Sequence, residues 1–216
     1  MKTITFVAIT LISGAIAGTI LGAVNQIIVE PYVDRAIQLE TENSQKSGEM
    51  INPFEFAAYR VWQRGGEIAA GTILGLSLGS LFGIVFAYGR GSVPGSNNKK
   101  KALIIAGIMW FALFLLPALK YPANPPAVGN PETIYYRQGM YLGFLAISGF
   151  GALGLALLYR KIGAMHAKKL IIPAVYAAIM AGAYLGMPAN PDKITAPMDL
   201  VISFRIVSAF TMSMFW

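Results

Sequence analysis

Six apolar runs almost free of internal charge decide what this chain can fold into. They cover Ile4–Val29, Glu67–Tyr88, Ala102–Leu119, Met140–Leu158, Leu170–Met187 and Leu200–Trp216. A helix needs ~20 residues to cross a hydrocarbon core of about 30 Å, so six spans need ~120. The chain has 216 residues, 56% of them hydrophobic and only 12% charged; a soluble domain carries about 25% charged residues. A soluble domain of this size has no core large enough to bury that much apolar surface. The expected fold is an all-α polytopic membrane protein with six transmembrane helices. The first run is too long for a signal-peptide core and is read as a retained helix. Pro173 falls near the start of the fifth run, where proline is tolerated. The sixth run is the shortest; it contains Arg205 and stops at Trp216.

Lys and Arg set the expected orientation, because cytoplasmic loops carry an excess of both. The linkers holding Arg90, Lys99, Lys100 and Lys101, and Arg160, Lys161, Lys168 and Lys169, contain no acid, and Lys2 lies on the same side. All ten carboxylates fall on the opposite side: Glu30, Asp34, Glu40, Glu42, Glu49, Glu55, Glu67, Glu132, Asp192 and Asp199. Both termini are therefore expected inside. The net charge of +7 separates into a basic inside and an acidic outside. Nucleic acid is thus not the expected partner; the Lys99-Lys100-Lys101 run serves topology, with contact to anionic lipid as an addition.

The outer side carries a repeat. Asn52-Pro53-Phe54-Glu55 leads to Tyr59-Arg60, Asn130-Pro131-Glu132 to Tyr136-Arg137, and Pro197-Met198-Asp199 to Phe204-Arg205. Asn as cap, Pro at the first helical position and an acid in the first turn are helix-start signals. Capping does not require the aromatic–Arg pair that recurs after them. A second echo links Pro122-Ala123-Asn124-Pro125 with Pro188-Ala189-Asn190-Pro191. These repeats imply three helical hairpins, over residues 1–90, 102–160 and 170–216, in a pseudo-threefold bundle with an outer loop at 30–66. Glu55 and Arg60 are five residues apart and so do not share a helix face. The same holds for Glu132 and Arg137. Arg60, Arg137 and Arg205 are accordingly expected to form a structural ion-pair ring with acids of neighbouring hairpins, with Arg64 as a substitute for Arg60.

Gly14, Gly18 and Gly22 in the first run, and Gly71, Gly75, Gly79 and Gly83 in the second, recur at strict four-residue spacing. Small residues at that spacing let helix backbones approach closely in lipid. Helix packing is the expected role, with a smooth pore lining or a sliding face as the alternative. Gly143, Gly149, Gly151 and Gly154 are less regular. Asn25 and Gln26 are the deepest polar side chains of the first span.

Catalytic signals are missing. There are no Cys residues and one His, His166, so Cys/His metal motifs and HExxH cannot be assembled. No glycine-rich loop ending in Lys-Ser/Thr is present, which argues against nucleotide hydrolysis by this chain. The ten Met residues are scattered, as apolar filling would place them. The chain is not expected to be an enzyme or to hold a tightly bound cofactor, and no metal ligand set can be named. An acidic, aromatic outer mouth remains, and carboxylates there raise the local cation concentration.

The stretch Leu119-Lys120-Tyr121-Pro122-Ala123-Asn124-Pro125-Pro126-Ala127-Val128-Gly129-Asn130-Pro131-Glu132-Thr133-Ile134, followed by Tyr136-Arg137, resembles the signature of the CbtA family of cobalt transporter subunits. A helix from Glu30-Pro31 to Glu40 after the first span and the closing Phe204-Arg205 helix fit the same resemblance, which extends over essentially the whole chain. It implies uptake of Co²⁺ beside a small single-span subunit with a His-rich motif, CbtB-like. Co²⁺ would cross hydrated or on carboxylate, amide and backbone oxygens, with imidazoles supplied by the partner.

The expected function is therefore that of a multi-pass plasma-membrane component of a divalent-cation uptake system. Glu30, Glu55, Glu132, Asp199, Asn124 and Asn130 are the expected cation-capture residues at the outer mouth. The alternative is a non-transporting structural subunit of a larger membrane complex. An anion site is a third possibility; it requires the three arginines to lack neighbouring acids.

Overall fold

The structure is a computed structural model that describes residues 3–48, 52–126, 128–162 and 167–216. Lys2, Glu49 and His166 lie outside the described residues, as does Ala127 of the central signature. Among the described residues every regular element is helical. Among these residues six helices are long and apolar enough to cross a membrane: Thr3–Ile28, Phe54–Gly89, Asn98–Lys120, Pro131–Lys161, Lys169–Gly186 and Met198–Phe215.

The helices overrun the apolar runs because polar residues cap and extend them. Asn52 Oδ1 accepts from Phe54 N–H at 3.1 Å, and Asn130 Oδ1 from Glu132 N–H at 2.9 Å. Asn97 Oδ1 accepts from Lys99 and Lys100 N–H at 2.9 and 3.3 Å. Each satisfies a donor that a helix start leaves unpaired. The second span is thus the upper part of α3, Pro53–Gly89, which has 37 residues and rises about 55 Å. That exceeds the hydrocarbon core by several turns.

The segment read as an outer loop at 30–66 is mostly helix. α1, Thr3–Ile28, is followed after one residue by α2, Glu30–Lys46. Pro31 has no N–H to continue the α1 ladder and sits in the first turn of α2, where that donor is not needed. Val33, Ala36 and Ile37 recur at helical spacing among polar residues, and Ala36 is 1% exposed. A search for uninterrupted apolar runs passes over such a segment, since only one face of it is apolar.

The chain forms two compact units: residues 1–84, 123–129 and 193–216, and residues 85–122 and 130–192. α3 passes from the first into the second. In the first unit, α1 packs on α2 and on α8, Met198–Phe215, and α2 also meets α8. The α1–α3 seam is built from the glycines. A Cβ added at Gly14 would overlap the Gly75 carbonyl and lie 3.1 Å from Gly79 Cα; one at Gly18 would overlap the Gly71 carbonyl and lie 2.9 Å from Gly75 Cα. Gly79 faces the Thr10 carbonyl, and Gly22 faces Ile68. Moving four residues up α1 moves four residues down α3, so the pair is antiparallel and backbone touches backbone along it. Thr19 and Thr72 hydroxyls join across the seam at 2.8 Å.

The second unit contains α4 (Asn98–Trp110), a π-helical turn (Phe111–Leu115) and α5 (Leu116–Lys120), which together make the third span. It also contains a 3-10 turn at Pro131–Thr133, α6 (Ile134–Lys161) and α7 (Lys168–Gly186). α6 packs against α7, against the π turn and against α5. Phe144 and Ser148 of α6 are 1% and 0% exposed. The central loop turns at Gly129, whose φ of 108° lies where a Cβ is disfavoured.

Candidate functional site

In the first unit the charged residues collect where α2 meets the start of α3. Glu30 and Asp34 are one turn apart on α2, and Arg60 and Arg64 one turn apart on α3. Arg60 Nη2 donates to Glu30 Oε1 and to Asp34 Oδ1, the latter at 2.7 Å. Arg64 reaches Glu30 through Nε at 3.0 Å and Asp34 through Nη2 at 2.6 Å. Two charges of each sign thus neutralise one another, with Arg60 and Glu30 each only 12% exposed. Arg60 Nη1 also donates to Gln63 Oε1 at 2.7 Å, and Gln26 Nε2 donates to the Arg64 carbonyl. Both Arg60 and Arg64 are used, and their acids belong to the same hairpin rather than a neighbouring one. Both arginines bond to the same Glu30 oxygen, Oε1.

Arg205 has a different environment. Its Nη2 donates to Asn124 Oδ1 at 2.7 Å, and its Nε lies 3.3 Å from both Asn124 Oδ1 and the Ala123 carbonyl. These acceptors are neutral, and no described acid pairs with this guanidinium. Asp199, one of the repeat acids, instead lies 3.6 Å from Arg35 on α2, both well exposed; such a pair contributes about 0–1 kcal/mol.

In the second unit Asp192 is the organising acid. Its Oδ2 accepts from Asn130 N–H at 2.9 Å, from Thr133 Oγ1 at 2.7 Å and from Arg137 Nε at 3.0 Å. Its side chain is 8% exposed, and Asn190 Oδ1 accepts its N–H at 3.0 Å. Arg137 Nη2 further donates to the Asn130 carbonyl at 3.1 Å. Each asparagine of the proline-rich loops has a local partner: Asn124 receives Arg205, Asn130 caps a helix and Asn190 accepts the Asp192 N–H. Nearby, Lys120 Nζ donates to the Tyr184 carbonyl at 2.6 Å and lies 4.7 Å from the Tyr184 ring centre. Tyr121 Oη donates to the Pro188 carbonyl at 2.7 Å. Burial, with a smaller push from Tyr136, raises the Tyr121 phenol above its ordinary value, so it stays a donor.

The three repeat arginines thus meet three kinds of partner. Arg60 takes two acids of α2, Arg137 an acid from the next hairpin segment, and Arg205 an amide. The repeat acids Glu55 and Glu132 are exposed and make no ion pair with a described residue. Among the described residues no three or more His, Asp or Glu side chains are grouped to hold a metal ion.

One acid that sequence reasoning assigned no role stands apart. Glu67 is half-buried on α3, with the Asn25 side chain of α1 and Glu30 nearby. It has no ion-pair partner among the described residues. Asn25 Oδ1 is buried and has no hydrogen-bond donor, which is costly in a low-dielectric setting. The signal available in the sequence was the placement of both residues at the same end of two helices with matched glycine spacing.

A family model described as "Probable cobalt transporter subunit (CbtA)" matches residues 3–216. No curated protein and no solved structure matches the chain.

Proposed function

The chain belongs to the CbtA family, and we propose on that footing that it is the multi-pass component of a divalent-cation uptake system carrying Co²⁺. The observation that carries this reading is the family match over residues 3–216, borne by a chain with six membrane-length helices. The charge asymmetry of the linkers supports a plasma-membrane placement with both termini inside and the acids outside. The repeated helix starts support three hairpins.

The local geometry supports a division of labour among the acids. Glu30 and Asp34 hold α2 to α3 by neutralising Arg60 and Arg64, and Asp192 holds the loops of the second unit. Glu55, Glu132 and Asp199 stay accessible, and exposed carboxylates concentrate cations near a membrane surface. Glu67 and Asn25 Oδ1 supply a carboxylate and an unpaired amide oxygen at the outer ends of the first two spans, where a cation path would begin. Oxygen donors bind Co²⁺ less tightly than imidazole or thiolate, which suits release. Imidazole ligands come, in this reading, from a small His-rich single-span subunit.

The test is ⁵⁷Co uptake in a cobalt-starved host that lacks its own copy of this chain. Glu67→Gln is expected to reduce uptake most, and the pair Glu132→Gln with Asp199→Asn to reduce it at low external cobalt only. Unchanged uptake in both variants, with normal amounts of protein in the membrane, would remove these acids from the pathway.

A second reading, a non-transporting structural subunit, is favoured by Gly139, Gly154, Gly182 and Gly186, whose Cβ positions meet nothing within 4 Å. It predicts stoichiometric co-purification with a membrane protein other than a His-rich peptide.

A further inference from the structure

The third span holds a backbone conflict that one side chain from another helix resolves. In the π turn Phe111–Leu115, Leu116 N–H bonds to the Phe111 carbonyl, five residues back. The next donor in that register is residue 117, which would bond to the Ala112 carbonyl. Residue 117 is proline and has no N–H. The α register offers Ala112 only the Leu116 N–H, already given to Phe111. The Ala112 carbonyl is thus left without a main-chain donor at a buried position, 3% exposed.

Ser148 of α6 fills the gap. Its hydroxyl lies 2.6 Å from the Ala112 carbonyl and 2.7 Å from Tyr176 Oη on α7. A carbonyl only accepts, so Ser148 spends its single proton on Ala112, and Tyr176 donates to Ser148. The Tyr176 ring stands 6.5 Å from that of Phe111 and against Gly151, where a Cβ would come within 3.8 Å of it.

A continuous α-helix through the same residues would orphan a different carbonyl. There Pro117 would fail to donate to Leu113, four residues back, and Ala112 would recover the Leu116 N–H. The two registers therefore differ in which carbonyl needs an outside donor, and Ser148 is placed at the one exposed by the π form. Since π turns are rare and otherwise less favourable than α, that donor decides the balance.

The geometry points to a two-register switch in the third span: Ser148, backed by Tyr176, holds the π form, and its release converts the span to α and turns α5. Removing one residue from the turn rotates the helix beyond it by about 100° and advances it ~1.5 Å. α5 ends in Lys120, which bonds to the Tyr184 carbonyl, and is succeeded by Tyr121, which bonds to the Pro188 carbonyl. A rotation of that size breaks both bonds, so the switch frees the end of α7 and the loop after it. π turns occur often at functional sites, and here the turn links a buried hydroxyl to a loop at the helix ends.

The chain has no Cys, so labels can be placed without background. Leu103 and Leu119 flank the turn and are 74% and 60% exposed. Spin labels at Leu103→Cys and Leu119→Cys, in the full chain in lipid nanodiscs, report the register as an inter-label distance by pulsed electron resonance. The unaltered background should give one dominant distance. Pro117→Ala supplies an N–H in either register, but it also removes the ring that collides with the Leu113 carbonyl in the α form, and so should move the population to a second distance. Ser148→Ala should move it the same way, and Tyr176→Phe should move a minor fraction. Should Ser148→Ala fail to fold, Pro117→Ala alone decides, since it lifts the collision that disfavours the α form. An unchanged distance distribution in folded Pro117→Ala overturns the switch. Uptake is not the readout, so this inference and the cobalt reading fail separately.

Discussion

The α1–α3 seam and the α6–third-span contact solve the same problem, holding helices together in lipid, by opposite means. The first deletes side chains: Gly14, Gly18, Gly71 and Gly75 bring backbone onto backbone, and attraction comes from close packing with Cα–H groups near carbonyl oxygens. The second adds a polar side chain at one point, where Ser148 satisfies a carbonyl that Pro117 leaves unpaired. A seam made of shape has no second arrangement of similar energy, because any added atom collides along its length. A contact keyed by one hydrogen bond can rearrange when that bond is lost. The first contact is thereby fixed by shape, and the second is the place of the proposed switch.

The largest expected effect comes from attacking the glycine seam. Gly18→Leu puts a side chain where even a Cβ overlaps the Gly71 carbonyl, and neither backbone can withdraw. A loss of at least about 3 kcal/mol is expected, at or beyond the upper range for overpacking, read as failure to recover monodisperse protein in detergent. Gly107→Leu, at a position with nothing within 4 Å, should be recovered normally. Equal behaviour of the two would show that the seam is not what holds α1 to α3.

Next in size are the charge clusters. Arg60→Ala leaves Glu30 buried with Arg64 as its remaining partner, and should cost roughly 3 kcal/mol, the lower end for breaking a buried pair. Asp192→Ala strips the acceptor from Asn130 N–H, Thr133 and Arg137 and should cost a similar amount. A fall in melting temperature in detergent reads both. Arg35→Ala removes only an exposed pair with Asp199 and should change stability by less than about 1 kcal/mol. The smallest effect belongs to the glycine seam itself: Thr19→Val deletes its one hydroxyl pair, and polar contacts between membrane helices average about 0.6 kcal/mol.

The sequence was transparent where the physics is periodic. Six apolar runs located the spans, and four-residue glycine spacing identified both faces of the α1–α3 seam. Asn52 and Asn130 were legible as caps because capping is local. α2 was hidden from the apolar-run search because its buried face, centred on Ala36, is interleaved with charge. The partners of the arginines were not legible either. Arg60 faces α2 because Pro31 redirects the chain after α1, and Arg205 meets Asn124 through a loop whose path depends on the φ of Gly129. The Ser148–Ala112 bond had no sequence signal beyond Pro117, since the donor lies 36 residues away. Glu67 stood in the sequence only as one of the outer carboxylates and Asn25 as a deep polar residue of the first span; their proximity is a consequence of the glycine register.

The central claim is that this chain moves cobalt. The most direct measurement compares ⁵⁷Co accumulation in cells that differ only in this chain, with every other component intact, at limiting external cobalt. Accumulation several-fold lower without the chain, restored by its re-expression and spared by Gly107→Leu, is the predicted result. Equal accumulation with and without the chain, with the protein present in the membrane, would contradict it.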